Sequence, residues 1–147
     1  MTQEEFLALM NEDLKREYQH MLFYLHSSAL VTGLHRHEIS EFLFEEAQSE
    51  LKHVREFTDQ ILAHGGVPLL PKQVTENLPS YVNGGPKEIL QQVLLMEKEV
   101  VTIFSDRLKE TEGWPGPFGQ LLHIFYEDQI MDSHKTVHEV QMMLARL

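Results

Sequence analysis

The chain contains no cysteine. That absence excludes a disulfide scaffold, thiolate zinc sites and cysteine-ligated iron–sulfur clusters. No stretch approaches the roughly 20 consecutive apolar residues that a membrane span needs. The N-terminus, Met1-Thr2-Gln3-Glu4-Glu5, lacks the basic-then-apolar pattern of a signal peptide. A cytoplasmic protein without a membrane partner is therefore expected. Positive charge is also scarce: 12 Lys and Arg stand against 23 Asp and Glu, a formal charge of −11, which argues against nucleic acid as a partner. Strand-like alternation, internal repeats and low-complexity segments are all missing. What remains is a chain of 147 residues, 42% hydrophobic and 24% charged, the make-up of one globular domain over residues 1–147.

Helix breakers fall in only three places and leave four long segments. Thr2 with Glu5 fits a capping box and starts a helix near Gln3 that runs to Gly33. The hinge Gly33-Leu34-His35-Arg36 leads into a second helix from about His37 to His64, ended by Gly65-Gly66. From Val67 to Gly85, three prolines and no sustained period indicate a long crossover loop. Pro86 opens a third helix ending near Gly113, and Pro115 and Pro117 open a fourth that runs to Leu147. Each segment is roughly 25–30 residues, or about 40–45 Å at the helical rise. The expected fold is all-α: an antiparallel four-helix bundle with one long crossover between helices two and three.

A helical projection then places acids where a core should be. The apolar side of helix one takes Phe6, Leu7, Met10, Leu14, Tyr18, Met21 and Leu25, with Glu17 in its middle. In helix two Glu46, Glu50 and His53 lie among Ile39, Phe42, Leu43, Val54, Phe57 and Ile61. In helix three Glu97 lies among Leu90, Val93, Val101, Phe104 and Leu108. Burying a carboxylate costs several kcal/mol unless a cation or partner compensates, roughly. A metal ion supplies that compensation. Glu50-x-x-His53 puts a carboxylate and an imidazole on one face, a mixed donor set that suits iron rather than calcium or magnesium. One such acid could instead be solvated or paired with a lysine; three helices agreeing at matching depth point to a metal site.

Over nearly its whole length the chain resembles the ferritin-like di-iron carboxylate superfamily, non-haem ferritins and bacterioferritins included. Asn11 through Tyr24 is similar to the first ferritin helix, which would make Glu17 a terminal metal ligand. Glu50-Leu51-Lys52-His53 resembles the second-helix signature, implying that Glu50 bridges two irons and His53 binds the first. Leu95-Met96-Glu97-Lys98 resembles the third-helix segment, implying that Glu97 binds the second iron. Tyr24, seven residues after Glu17, would take a redox or hydrogen-bonding role, the one catalytic side chain besides the ligands, although it could equally be core. Bacterioferritins and rubrerythrins carry a second Glu-x-x-His in helix four. Here Glu127 is followed by Ile130, and Glu127-Asp128-Gln129-Ile130 is closer to the Glu-Gln-Val of non-haem ferritins. Gln129 falls inside the apolar arc of Leu122, Phe125, Tyr126, Val140 and Leu147, with Asp132 at its edge. Gln129 is the preferred helix-four ligand and Glu127 the alternative. Leu51 occupies the position of the haem methionine, so no haem is expected. Of the nine histidines, only His53 stands at a ligand position, and His134 and His138 lie on the polar face of helix four.

The resemblance implies a di-iron centre that oxidises Fe²⁺ with O₂ or H₂O₂, in iron storage or detoxification. The alternative is a di-iron oxidase or oxygenase acting on an organic substrate or peroxide; a metal-free interaction protein is a third reading. Helix four closes the chain without the fifth helix of shell-forming ferritins. That departure counts against a hollow cage, while the resemblance implies at least a homodimer along the outer faces of helices one and two, with a larger shell possible.

Overall fold

The computed structural model describes residues 1–76 and 82–147, and part of the expected crossover, residues 77–81, lies outside them. Four long helices carry the chain: α1 (Gln3–Leu30), α2 (Arg36–Ala63), α3 (Pro86–Glu112) and α4 (Pro117–Leu144). No strand occurs among the described residues. The chain divides into two compact units, Met1–Pro86 and Lys87–Leu147.

In the first unit, Thr2 begins α1 with the expected reciprocal cap. Thr2 Oγ1 accepts from the Glu5 N–H at 3.0 Å, and Glu5 Oε2 accepts from the Thr2 N–H at 3.2 Å. The helix stops at Leu30, earlier than Gly33, because the chain turns extended at Val31 (ψ 137°). Thr32 then donates both its N–H and its hydroxyl to the Gly84 carbonyl, at 2.9 and 3.0 Å. Gly33 completes the reversal at a φ of 105°, where a side chain would be strained. The Ser40 hydroxyl donates to the Ser28 carbonyl at 2.6 Å and fastens the start of α2 to the end of α1, so the two helices form a hairpin.

The crossover begins as an ordered segment, not as the featureless loop expected from its prolines. Asn11 on α1 grips it from both sides of its amide: Nδ2 donates to the Val67 carbonyl at 2.9 Å, and Oδ1 accepts from the Leu69 N–H at 2.8 Å. A 3-10 turn follows over Pro71–Thr75, and Gln19 donates to the Val74 carbonyl at 3.2 Å. Pro71 fits the first position of that turn because its missing N–H would have no partner there.

The inward face of α1 is Phe6, Met10, Asp13, Leu14, Glu17, His20, Phe23, Tyr24, Ser27 and Ser28. Only its first half matches the apolar stripe read from sequence. Tyr18 and Met21 are half-buried, and Leu25 is exposed. The helix carries two apolar surfaces, and polar residues punctuate the inner one beyond Leu14, so the outward surface looks more continuous in the sequence. On α2, Ile39, Leu43, Ala47, Val54, Phe57 and Ile61 are buried around Glu50 and His53, while Phe42 and Glu46 are half-buried. Fully burying one large apolar side chain contributes about 1.5–3 kcal/mol. At Glu17, His20, Glu50 and His53 the hairpin forgoes that gain on adjacent turns.

The second unit is built by α3 and α4. Ile89, Leu90, Val93, Met96, Val100 and Phe104 are buried on α3; Val100 takes the place expected of Val101, which is half-buried, as is Leu108. Phe104 meets Tyr126 edge-on at 5.3 Å, and Thr111 Oγ1 lies 3.0 Å from His123 Nδ1, tying α3 to α4. Leu147 falls beyond the end of α4 and is exposed, outside the arc to which the sequence assigned it.

Candidate metal centre

Glu17 on α1 and Glu50 and His53 on α2 meet inside the first unit, and all three are buried. One ligand atom from each lies within 4.8 Å of the other two, a spacing that a single cation can span. His53 Nδ1 lies 3.4 Å from Glu50 Oε2 and 4.0 Å from Glu17 Oε2. The convergence follows from local structure: the i, i+3 spacing of Glu50 and His53 stacks them on the face of α2 that packs on α1.

Electrostatics show what this cluster lacks. Burial holds the Glu17 carboxyl well above the usual carboxylate range; the nearby Glu50 charge and a hydrogen bond shared with Glu50 add to this, and His53 partly opposes it. Two acids deprived of water cannot both ionise cheaply at short range, so one retains a proton. A cation would displace that proton and convert the pair into ligands. Carboxylate oxygen with imidazole nitrogen is the donor chemistry of iron or zinc, so the residues fit a metal of that kind.

His20 joins them, although no ligand role was expected of it. It is 6% exposed, and its Nδ1 is buried with no hydrogen-bond partner among the described residues. One ring nitrogen lies within 4.8 Å of a Glu50 carboxylate oxygen. Burial, with the Arg16 charge added, lowers its pKa to about 3, so the ring is neutral at ordinary pH and keeps a lone pair. The signal was in the sequence: Glu17-Tyr18-Gln19-His20 repeats the Glu-x-x-His spacing of α2. The projection missed it by following the outward apolar face of α1.

In the second unit, Glu97 on α3 and Gln129 on α4 are buried, each 2% exposed. Gln129 Oε1 has no hydrogen-bond partner among the described residues. Glu127 and Asp132 are on the exposed face of α4. Glu127 Oε1 lies 2.9 Å from His123 Nε2, and Ile130 is half-buried. His134 and His138 are exposed. Replacing Glu127 by Gln should accordingly leave iron-oxidation rates within about twofold, as surface substitutions away from a site generally do. Stopped-flow absorbance checks this, and a loss beyond tenfold would place Glu127 among the ligands. Tyr24 is fully buried on α1 and packs edge-on against Phe23 at 6.2 Å.

Similarity to known proteins agrees with the site's chemistry. No curated protein matches the chain by sequence. Among solved structures, the chain is similar to a ferritin-like, diiron-carboxylate protein from Bacillus anthracis str. Ames. The two share 25% identity at a TM-score of 0.84, covering 98% of this chain and 99% of that one. It is also similar to the bacterioferritin-related protein of Bacteroides fragilis, described as a dodecameric thioferritin, at 17% identity and a TM-score of 0.88, covering 99% and 88%. A bacterioferritin from Mycobacterium tuberculosis follows at 18% identity and 0.80, covering 99% and 87%. The fold is thus the ferritin-like four-helix bundle. A family model of the ferritin-like domain matches residues 7–147, and the chain belongs to that family.

Proposed function

We propose that the protein binds two iron ions per chain and oxidises Fe²⁺ with O₂ or H₂O₂. The observation that carries this reading is the buried group Glu17, Glu50 and His53, two acids and an imidazole whose ligand atoms lie within the span of one cation. Glu17 and His53 hold the first ion and Glu50 bridges to the second. Glu97 supplies the second ion's terminal carboxylate and Gln129 a neutral oxygen beside it. Each Fe²⁺ gives up one electron. Peroxide takes the two electrons with two protons and leaves as two waters; dioxygen takes them with two protons and leaves as hydrogen peroxide. The carboxylates offset the charge gained by the metals, and Tyr24 takes a redox or hydrogen-bonding role beside them.

No helix among the described residues is long and apolar enough to cross a membrane. The outward side of the α1–α2 hairpin exposes Leu25, Phe44, Leu51 and Leu62. An apolar surface of this kind fits pairing of two copies along these helices. The dodecameric assembly of the Bacteroides fragilis protein is consistent with a larger particle.

The test is aerobic addition of Fe²⁺ to the apoprotein, following ferric absorbance, iron retained and particle size. Two Fe²⁺ per chain should be oxidised in a first, fast phase. Iron that stays with the particle indicates storage, whereas oxidation followed by release indicates detoxification. Oxidation no faster than in buffer would overturn the proposal.

A further inference from the structure

We propose that His20 is itself a metal ligand, binding the second ion together with Glu50. The α1–α2 hairpin then contributes a Glu-x-x-His pair from each helix. This assignment rests on the two-metal reading above and changes its ligand set. Within the hairpin, Glu50 has candidate donors on two sides. It lies with Glu17 and His53 on one side, and within 4.8 Å of a His20 ring nitrogen on the other. A carboxylate with donors on two sides is placed as a bridge, and His20 is the hairpin's donor on the second side.

His20 has the properties of that donor. A buried ring nitrogen without a partner carries a desolvation penalty that natural proteins rarely retain without a use. Its Nδ1 carries that penalty. Nothing else on α1 explains the burial: His20 is an aromatic polar residue placed between Glu17 and Tyr24 on the inward face, where an apolar side chain would have added to the core. The helix that would otherwise supply a second imidazole does not. On α4, His123 is engaged with Thr111 and Glu127, and His134 and His138 are exposed. The hairpin's own donors are therefore two carboxylates and two imidazoles. Such a set favours Fe²⁺ or Zn²⁺ and disfavours Mg²⁺ or Ca²⁺.

Zn²⁺ is the probe, because it binds like Fe²⁺ without being oxidised. Crystals of the wild-type protein soaked in Zn²⁺ should show, by anomalous scattering, two ions, one about 2.0–2.2 Å from a His20 nitrogen. In solution, His20→Gln should weaken the second Zn²⁺ at least roughly thirtyfold and the first far less, consistent with the 10–100-fold cost of disturbing even an outer-shell partner. Comparing the two proteins cancels zinc held by surface histidines. Two ions with neither near His20, or unchanged affinities in His20→Gln, would overturn the assignment and leave the two-metal reading intact. No ion at Glu17, Glu50 and His53 would overturn both. The crystallographic arm uses the unaltered chain, so the inference stays testable even if the variant folds poorly.

Discussion

Replacing Glu50 by alanine should abolish iron oxidation, while replacing Gln129 by alanine should only slow it. Glu50 lies within 4.8 Å of ligand atoms of Glu17 and His53 and also of His20, so on the proposed reading its loss removes a charged donor from two metal positions at once. A rate loss of at least about 100-fold, some 2.7 kcal/mol of barrier, is expected. Gln129 is buried but neutral, and its oxygen competes poorly with a carboxylate for a cation. A loss of about tenfold or less is expected there. Stopped-flow oxidation rates on variants with unchanged circular dichroism decide the matter, and equal losses in both would count against this division of roles. Stability should move the other way. Glu50→Gln keeps the volume and removes one of two acids crowded in a dry site, so the apoprotein should unfold at a higher temperature.

Loading the centre should raise the unfolding temperature strongly, and more so at higher pH. A ligand at a hundred times its dissociation constant stabilises by about 2.7 kcal/mol per site. Two sites give about 5.4 kcal/mol, or roughly 10–20 °C for a domain of this size. The pH dependence follows from Glu17, whose folded pKa lies well above the usual value. Between its unfolded and folded pKa the native apoprotein holds a proton that the unfolded chain has released. Apoprotein stability from this group is thus full below the unfolded pKa and declines as pH rises through the folded one. His20 acts in the opposite sense: with a folded pKa near 3 against 6.5, its contribution is complete above pH 6.5 and is lost as pH falls towards 3. Above pH 6.5 the His20 contribution is constant, so of these two groups only Glu17 can add a trend there. A metal that replaces its proton therefore gains affinity with pH. Differential scanning calorimetry with and without Zn²⁺, over a pH series rising from the ordinary carboxylate range, measures this directly. A shift that shrinks as pH rises would contradict the protonated Glu17.

Much of this was legible in the sequence, for identifiable reasons. Long helices with few breakers leave little freedom in fold class, and a reciprocal cap such as Thr2 with Glu5 is written in two residues. Glu50 and His53 could be read because α2 has one strongly apolar face and they interrupt it. Helix α1 was harder. Its outward residues Tyr18, Met21 and Leu25 are as apolar as its inward ones, so a projection by hydrophobicity drifted off the true face after Leu14 and passed over His20. Gln129 could be placed by phase, lying within roughly 60° of Leu122, Phe125, Tyr126 and Val140, while Glu127 lies at least about 100° from each. The order in the crossover was invisible, because it depends on Asn11, Gln19 and Thr32 meeting backbone groups far along the chain. Such bonds have no local signature.

A carboxylate shared by two cation positions also makes their occupancies interdependent. On the proposed reading the first ion would expel the Glu17 proton and orient Glu50, and the second would find that work already done. By thermodynamic reciprocity, each ion then raises the affinity for the other. Chains would pass from empty to doubly filled with few singly filled ones between. An oxidant that needs two electrons would then meet both donors together, and the one-electron reduction that releases radicals from isolated ferrous ions would have few sites at which to begin.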